Sequence, residues 1–276
     1  MNKNIVFLLV LCIIVSLNGC LGNKTSKESH QPENDNEYIL RLIDSNDVNA
    51  IRALFNKGVD VNISLDDSRY TPLIYAIHKE KYDVIYLLLE NDVDIELCTT
   101  YGSPLVAAAE MNNFVLVKLL LDKGADINNN YRFQNKFAKG RSAIFCAAYN
   151  FNFEMYNYLL EKNADVNIGN DLEDENALMS VINKYNKNEY SMYHDKIIAM
   201  VKKLIHDGIN VNNIVWYGNV LTSAAWRNDI ELLRILLENG ADLNNYVKEQ
   251  NMNTYDYICT FGTIEIIDLI NKYYKQ

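Results

Sequence analysis

One short phrase recurs six times in this chain of 276 residues and constrains its architecture more than any other feature. The copy Lys123-Gly124-Ala125-Asp126-Ile127-Asn128 follows the apolar run Val115-Leu116-Val117-Lys118-Leu119-Leu120-Leu121. The others are Lys57-Gly58-Val59-Asp60-Val61-Asn62, Asn91-Asp92-Val93-Asp94-Ile95-Glu96, Lys162-Asn163-Ala164-Asp165-Val166-Asn167, Asp207-Gly208-Ile209-Asn210-Val211-Asn212 and Asn239-Gly240-Ala241-Asp242-Leu243-Asn244. Self-similarity of this kind means stacked units, each needing a neighbour to cover its apolar face.

The phrase has a mechanical meaning. Its second residue is Gly58, Asp92, Gly124, Asn163, Gly208 or Gly240. Gly, Asn and Asp tolerate the left-handed backbone that a helix needs just past its last turn. Each phrase is therefore expected to stop a helix through that conformation. The apolar residue that follows tucks back against the helix, and the Asp or Asn after it opens a turn.

A second signature lies upstream of each stop. Thr71-Pro72-Leu73-Ile74-Tyr75-Ala76 and Ser103-Pro104-Leu105-Val106-Ala107-Ala108 hold two of the chain's three prolines at one position. Pro in the first turn, after a hydroxyl that can cap it, starts a helix cleanly. Looser copies begin at Ser142, Asn176 and Asn219, each with an aliphatic residue two places on. Leu73 to Leu105 is 32 residues, and Leu221 to its counterpart Tyr255 is 34. A turn, a Thr-Pro-Leu-like first helix, an Ile-Val-x-Leu-Leu-like second helix and a Gly-Ala-Asp-x-Asn stop resemble the ankyrin repeat. The resemblance implies an all-α fold, an ankyrin-repeat solenoid of stacked helix-turn-helix repeats with β-turn fingers. About seven repeats can be placed, at 37–62, 66–95, 99–128, 138–167, 172–212, 216–244 and 250–276. The first holds its helix pair within Asp44 to Phe55. The last lacks a stop phrase, as a capping copy can.

Two departures stand out. Residues 129–141 are longer than their equivalents and carry Arg132, Lys136, Lys139 and Arg141 with no acid, a basic aromatic finger on an acidic chain. In the fifth copy, Leu178 to Leu204 is 26 residues where Leu73 to Leu87 is 14. The extra residues fall around Tyr185 to Asp195 and are expected to form a loop, where insertions in repeat proteins go.

The N-terminus reads differently. Lys3 followed by the apolar Ile5 to Ser16 has the form of a signal-peptide lead and is short for a membrane span. It ends in Leu17-Asn18-Gly19-Cys20, which resembles a bacterial lipoprotein cleavage site, although Asn18 departs from the usual small residue. Residues 1–19 are thus expected to be a lipoprotein signal peptide, with Cys20 lipidated and the protein held at the membrane of a bacterial cell envelope. An ordinary secretory signal is the alternative. Residues 20–36, polar with one Pro32, read as a flexible tether to the repeat domain at 37–276.

Charge and chemistry exclude several classes. The net charge of −10 argues against nucleic acid as a partner. Cys98, Cys146 and Cys259 are odd in number and form no metal-ligand spacing; Cys146 and Cys259 read as small core residues on helices. His30, His78, His194 and His206 fall in no ligand pair, and no nucleophile or phosphate-loop motif is present. His206 reads as a cation at a helix C-terminus. The expectation is a chain that is not an enzyme, with no metal, no cofactor and no small-molecule substrate.

What remains is binding. Family resemblance implies a concave face made by the turn tips and the exposed ends of the first helices. Counting from the capping residues places His78, Met111, Tyr149, Trp226 and Arg227 on it, with turn tips at Tyr70, Tyr101, Arg141, Trp216 and Tyr217. Both tryptophans of the chain fall on this face. Trp, Tyr and Arg dominate interface energetics. The expected centre is Trp216, Trp226 and Tyr149, with the 129–141 finger at one rim. The function expected is a membrane-tethered scaffold that docks a protein partner. A dedicated inhibitor or immunity partner of one exported enzyme or toxin is the alternative.

Overall fold

Why the chain forms pairs of short helices is visible in its caps. The computed structural model describes residues 35–65, 69–99, 102–130, 141–168, 175–249 and 251–274. The stretch expected to be a signal peptide, most of that expected to be a tether and most of the 129–141 stretch lie outside them. Two units are present, Met1–Thr100 and Tyr101–Gln276.

The first unit holds α1 (Asp35–Asp44), α2 (Val48–Asn56), α3 (Pro72–His78) and α4 (Tyr82–Leu89). α1 packs on α3 and α2 on α4, so two helix pairs stack in register. The second unit repeats the pattern five times. Its first helices are α5 (Pro104–Glu110), α7 (Ala143–Tyr149), α9 (Ala177–Asn183), α11 (Val220–Trp226) and α13 (Thr254–Phe261). Its second helices are α6 (Phe114–Asp122), α8 (Phe153–Glu161), α10 (Lys187–His206), α12 (Ile230–Glu238) and α14 (Ile264–Tyr274). The five first helices form one row, each packed on the next. Two antiparallel fingers precede α11 and α13: β1 (Ile214–Val215) with β2 (Gly218–Asn219), and β3 (Tyr246–Val247) with β4 (Met252–Asn253). Among the described residues no helix is long and apolar enough to cross a membrane.

First helices start on the side chains the sequence pointed to. Thr71, Ser103, Ser142, Asn176 and Asn219 each accept a backbone N–H two or three residues on, and Asn253, which the sequence pattern does not single out, does the same in the last copy. α5, α7, α9 and α11 each bury an unbroken row of side chains, Ala143 to Ala148 in α7 for example, whereas α3 leaves Tyr75 half-buried and α13 buries only Thr254 and Ile258. Stops work as expected at Gly58, Gly124, Asn163, Gly208 and Gly240, whose φ values lie between +66° and +94°. Asp92 is the correction: it does not take a left-handed backbone. At that end the Asn91 side chain donates to the Leu87 carbonyl at 2.6 Å, as Asn239 does to Ile235 at 2.7 Å beside the left-handed Gly240.

The phrase also does something that its local reading did not include. In four of the six copies its last Asn ties one repeat to the next. Asn62 donates to the Asp92 carbonyl and accepts from the Asp94 amide. Asn128 accepts from the Asp165 amide. Asn167 bonds both ways with Gly208 and Asn210, and Asn212 with Gly240 and Asp242. All these distances lie between 2.7 and 3.2 Å.

Three further expectations are corrected. The N-terminal helix pair spans 35–56 rather than Asp44 to Phe55. α1 reaches into the stretch read as tether because Ile39, Leu42 and Ile43 form a buried stripe at helical spacing. Cys146 is buried, and burial pushes its thiol up to about 12; Cys259 is only half-buried and does not belong to the core. The insertion in the fifth copy is not a loop. It is the first half of α10, which runs for 20 residues.

Candidate functional site

The C-terminal end of the row of first helices carries a groove. Its floor comes from α11 and α13 and its side from the fingers. The backbone of the first finger reaches the second: the Glu249 amide donates to the Trp216 carbonyl at 3.1 Å. Between helices and fingers lies a hollow of about 380 Å³, lined among others by Glu175, Tyr217, Trp226, Arg227, Glu249 and Tyr257. A second hollow of about 230 Å³ lies beside it, between Trp226 and Phe261. Its lining includes Gly262, where a β-carbon would come within 2.6 Å of the Ile258 carbonyl oxygen, so only glycine fits.

Polar groups fix the first hollow. Glu175 accepts from Ser180 Oγ at 2.8 Å, from Asn183 Nδ2 at 3.4 Å and from the Tyr217 hydroxyl. Tyr217 is thereby held edge-on to Trp216, with ring centroids 5.2 Å apart. Arg227 lies between the rings of Trp226 and Tyr190, 5.3 and 5.2 Å from its guanidinium carbon. It donates to the Ser223 and Tyr185 carbonyls. Burial lowers its pKa, while Tyr190, Asp229 and Glu175 act in the opposite direction. Trp216 and Trp226 remain 61% and 54% exposed, which a hydrophobic core would not leave.

The structure divides the residues that the sequence grouped. Trp226, Tyr217 and Arg227 line the first hollow, and Trp216 stands at the finger tip next to it. Tyr149 does not join them. It lies on α7, two first helices away, with α9 between. There it covers Lys184, whose ammonium is 4.3 Å from the Tyr149 ring, 5.0 Å from Phe151 and 5.7 Å from Tyr185. Burial lowers the Lys184 pKa. Arg141 pairs with Glu110 and sits 5.8 Å from the Phe145 and Tyr149 rings. Met111 caps the C-terminus of α5 and is half-buried. Tyr70 and His78 belong to the first unit, where their rings meet edge-on at 5.5 Å. Tyr101 lies outside the described residues.

Glu175, Glu249, Tyr257 and Phe261 were not expected. The signal for Phe261 was present: it stands eight residues past its cap, Asn253, as Arg227 stands eight past Asn219.

Comparison with known proteins agrees with this architecture. A family model described as ankyrin repeats matches in three copies, at residues 3–99, 39–131 and 96–170, which together span more than half of the chain. The human ASB11 ankyrin repeat domain is similar in structure with a TM-score of 0.57 and 21% identity, over 87% of this chain and 97% of that one. The ankyrin repeat domain of Bcl-3, described as a unique member of the IkappaB protein family, gives a TM-score of 0.60 and 19% identity, over 89% and 100%. No curated protein matches.

Proposed function

The chain belongs to the ankyrin-repeat family, and from that premise we propose that it is a non-enzymatic protein-binding scaffold, tethered to a bacterial membrane through Cys20 and docking a protein partner in the groove around Trp226. Ankyrin repeats are in general scaffolds for protein–protein interaction. The observation that carries the reading is the half-exposed Trp226, which walls two adjoining hollows on the face formed by fingers and first helices. A rigid aromatic in such a place buries much area at little entropic cost when a partner arrives.

Affinity capture with the wild type and Trp226→Ala in parallel tests this. A partner should be held by the wild type and lose roughly 2 kcal/mol or more of affinity to the variant, while the melting temperature stays nearly the same. Equal binding by both would reject the groove as the docking face.

What supports the anchor is the charged, then apolar, lead that ends in Leu17-Asn18-Gly19-Cys20. Lipid chains on Cys20 would hold the protein at the bilayer, stably if there are two or more. Cys20→Ala should release the protein from membranes or leave an uncut precursor, read by fractionation and mass. Unchanged partitioning and mass would end this part of the proposal.

A further inference from the structure

Nine residues past the cap of a first helix, Glu80, Asn112 and Asn228 take a left-handed backbone. In the repeat of α7 that place is held by Phe151, at φ +55°. A bulky ring costs more there than Asn does, and strain that a fold retains points to function. The next repeat puts Tyr185 at the same count, and its ring lies parallel to that of Phe151 with centroids 6.3 Å apart. Tyr193 extends the stack at 3.9 Å. Tyr185 and Tyr193 both belong to the extra residues of the fifth copy.

One cation sits against this stack. Lys184 Nζ donates to the Tyr149 carbonyl and lies 4.3 to 5.7 Å from the ring centroids of Tyr149, Phe151 and Tyr185. Burial lowers its pKa, and no charged neighbour acts against that. Among the described residues no carboxylate pairs with it, and two of its three N–H groups have no oxygen acceptor. The phenol hydroxyls of Tyr149, Tyr185 and Tyr193 have no acceptor there either. Tyr193 and Tyr149 act electrostatically on Tyr185, so the three phenols are neighbours. Glu189, which also acts on Tyr185, is held by Asn186 Nδ2 at 2.8 Å. Arg227 joins the cluster to the tryptophan groove, since it donates to the Tyr185 carbonyl at 3.4 Å and lies against the Trp226 ring.

We infer that this cluster is a second contact point on the docking face and takes an aspartate or glutamate side chain of the protein partner. The carboxylate meets the Lys184 ammonium and accepts from the phenol hydroxyls beside it. Charge selects it, because a chain of net charge −10 presents here a half-buried ammonium with no acid of its own. A carboxylate matches that single positive charge, whereas a phosphate group brings about −1.5 to −2. The inference rests on this face being a protein-docking face and adds a site apart from the tryptophans.

Random linear peptides displayed on phage and panned on the full chain test it. Enriched peptides should carry Asp or Glu, and their binding should weaken with salt. Lys184→Met should weaken binding roughly tenfold or more and flatten its salt dependence. Tyr193→Phe, which keeps the ring and removes one hydroxyl, should weaken it roughly threefold or more. Lys123→Gln, which removes a positive charge past the end of α6, should leave binding unchanged, and melting temperatures verify that every variant is folded. Peptides free of acidic residues, or peptides that tolerate Lys184→Met, overturn the carboxylate assignment; the docking face stands if they need Trp226 and falls if Trp226→Ala leaves them unchanged. Peptides that need Lys184 and their own acidic residue but not Trp226 uphold the assignment and reject the tryptophan groove. No enrichment at all overturns both.

Discussion

The repeat of α7 and α8 and the repeat of α9 and α10 open on the same kind of cap, close on the same left-handed stop and differ most between their helices. Ser142 caps α7 and Asn176 caps α9. Asn163 and Gly208, both left-handed, follow the ends of α8 and α10. Between α7 and α8 the chain needs three residues: Asn150, Phe151 at φ +55°, and Asn152, which caps α8 by accepting from Met155 N at 2.9 Å. Lys184 stays right-handed at φ −56°. Asn186 then caps early, accepting from Glu189 N and donating to Glu189 Oε2. From there the helix runs without a break to His206. The lesson is that the caps fix the ends of a repeat, and its middle is free to lengthen wherever it supplies another cap and another apolar stripe. α10 supplies both. Tyr190, His194, Ile197, Ile198 and Val201 follow helical spacing. Tyr190 and His194 both reach Oδ2 of Asp229, at 2.8 and 2.9 Å, and Asp229 caps α12 of the next repeat.

The largest effect should come where the two repeats are most alike. Leu159 and Leu204 hold equivalent places in α8 and α10, and both are fully buried. Each Leu→Ala change should cost roughly 2–5 kcal/mol, with similar values at the two sites, measured by chemical denaturation. A much smaller loss at Leu204 would mean that the extended half of α10 carries packing that α8 lacks, and would break the equivalence.

An intermediate effect isolates what the extension adds. Asn152→Ala removes a helix cap and should cost about 1 kcal/mol. Asp229→Ala removes a cap and also the acceptor shared by Tyr190 and His194, so its cost should be about 2–4 kcal/mol. Repeating Asp229→Ala in a Tyr190→Phe background should recover part of the difference. Equal costs for Asn152→Ala and Asp229→Ala would show that the extension is not latched to the next repeat.

The smallest effect concerns pH, at the close of the two helices. Lys162 follows α8, whereas Asp207 follows α10. Burial alone would raise the Asp207 carboxyl, but hydrogen bonds from Lys203, at 2.8 to 3.0 Å, and His206, at 2.9 Å, outweigh it and hold the pKa below its ordinary 3.8. A depressed carboxyl contributes stability above its unfolded pKa and loses it as pH falls through the folded one. The wild type should therefore exceed Asp207→Asn by about 1 kcal/mol at neutral pH. That margin should hold down to about pH 4 and vanish below it in acid denaturation curves. A margin that persists at low pH would assign the effect to something other than the charge.

Much of this was legible beforehand, and the exceptions have physical reasons. Caps and stops could be read because a single side chain or a single left-handed residue does each task. The helical form of the insertion is not legible from its length, although its stripe is in the sequence, since insertions in repeat proteins usually fall in loops. The role of Asp229 was hidden because its partners come from 35 and 39 residues away. Trp216 and Trp226 were placed on the groove by counting. Glu175 and Glu249 were not, because a carboxylate near a finger reads in sequence as ordinary solvated surface. Tyr149 was grouped with the tryptophans because the count gives position within a repeat and not distance between repeats.

The asparagine that closes the stop phrase at 62, 128, 167 and 212 reaches into the following repeat and bonds main chain there, a carbonyl and an amide in the fullest cases, with one side chain, Asn245, added at Asn212. Main chain is the same in every repeat. The joint is therefore blind to the identity of the unit it grips, much as a threaded coupling is blind to the pipe beyond it. Whatever unit ends in this phrase can be followed by any unit that presents the same turn, so the number and order of repeats are free to change by duplication or loss without a new joint. What such a change would have to preserve is the buried row of first-helix side chains, and what it would move is the position of Trp226 along the face.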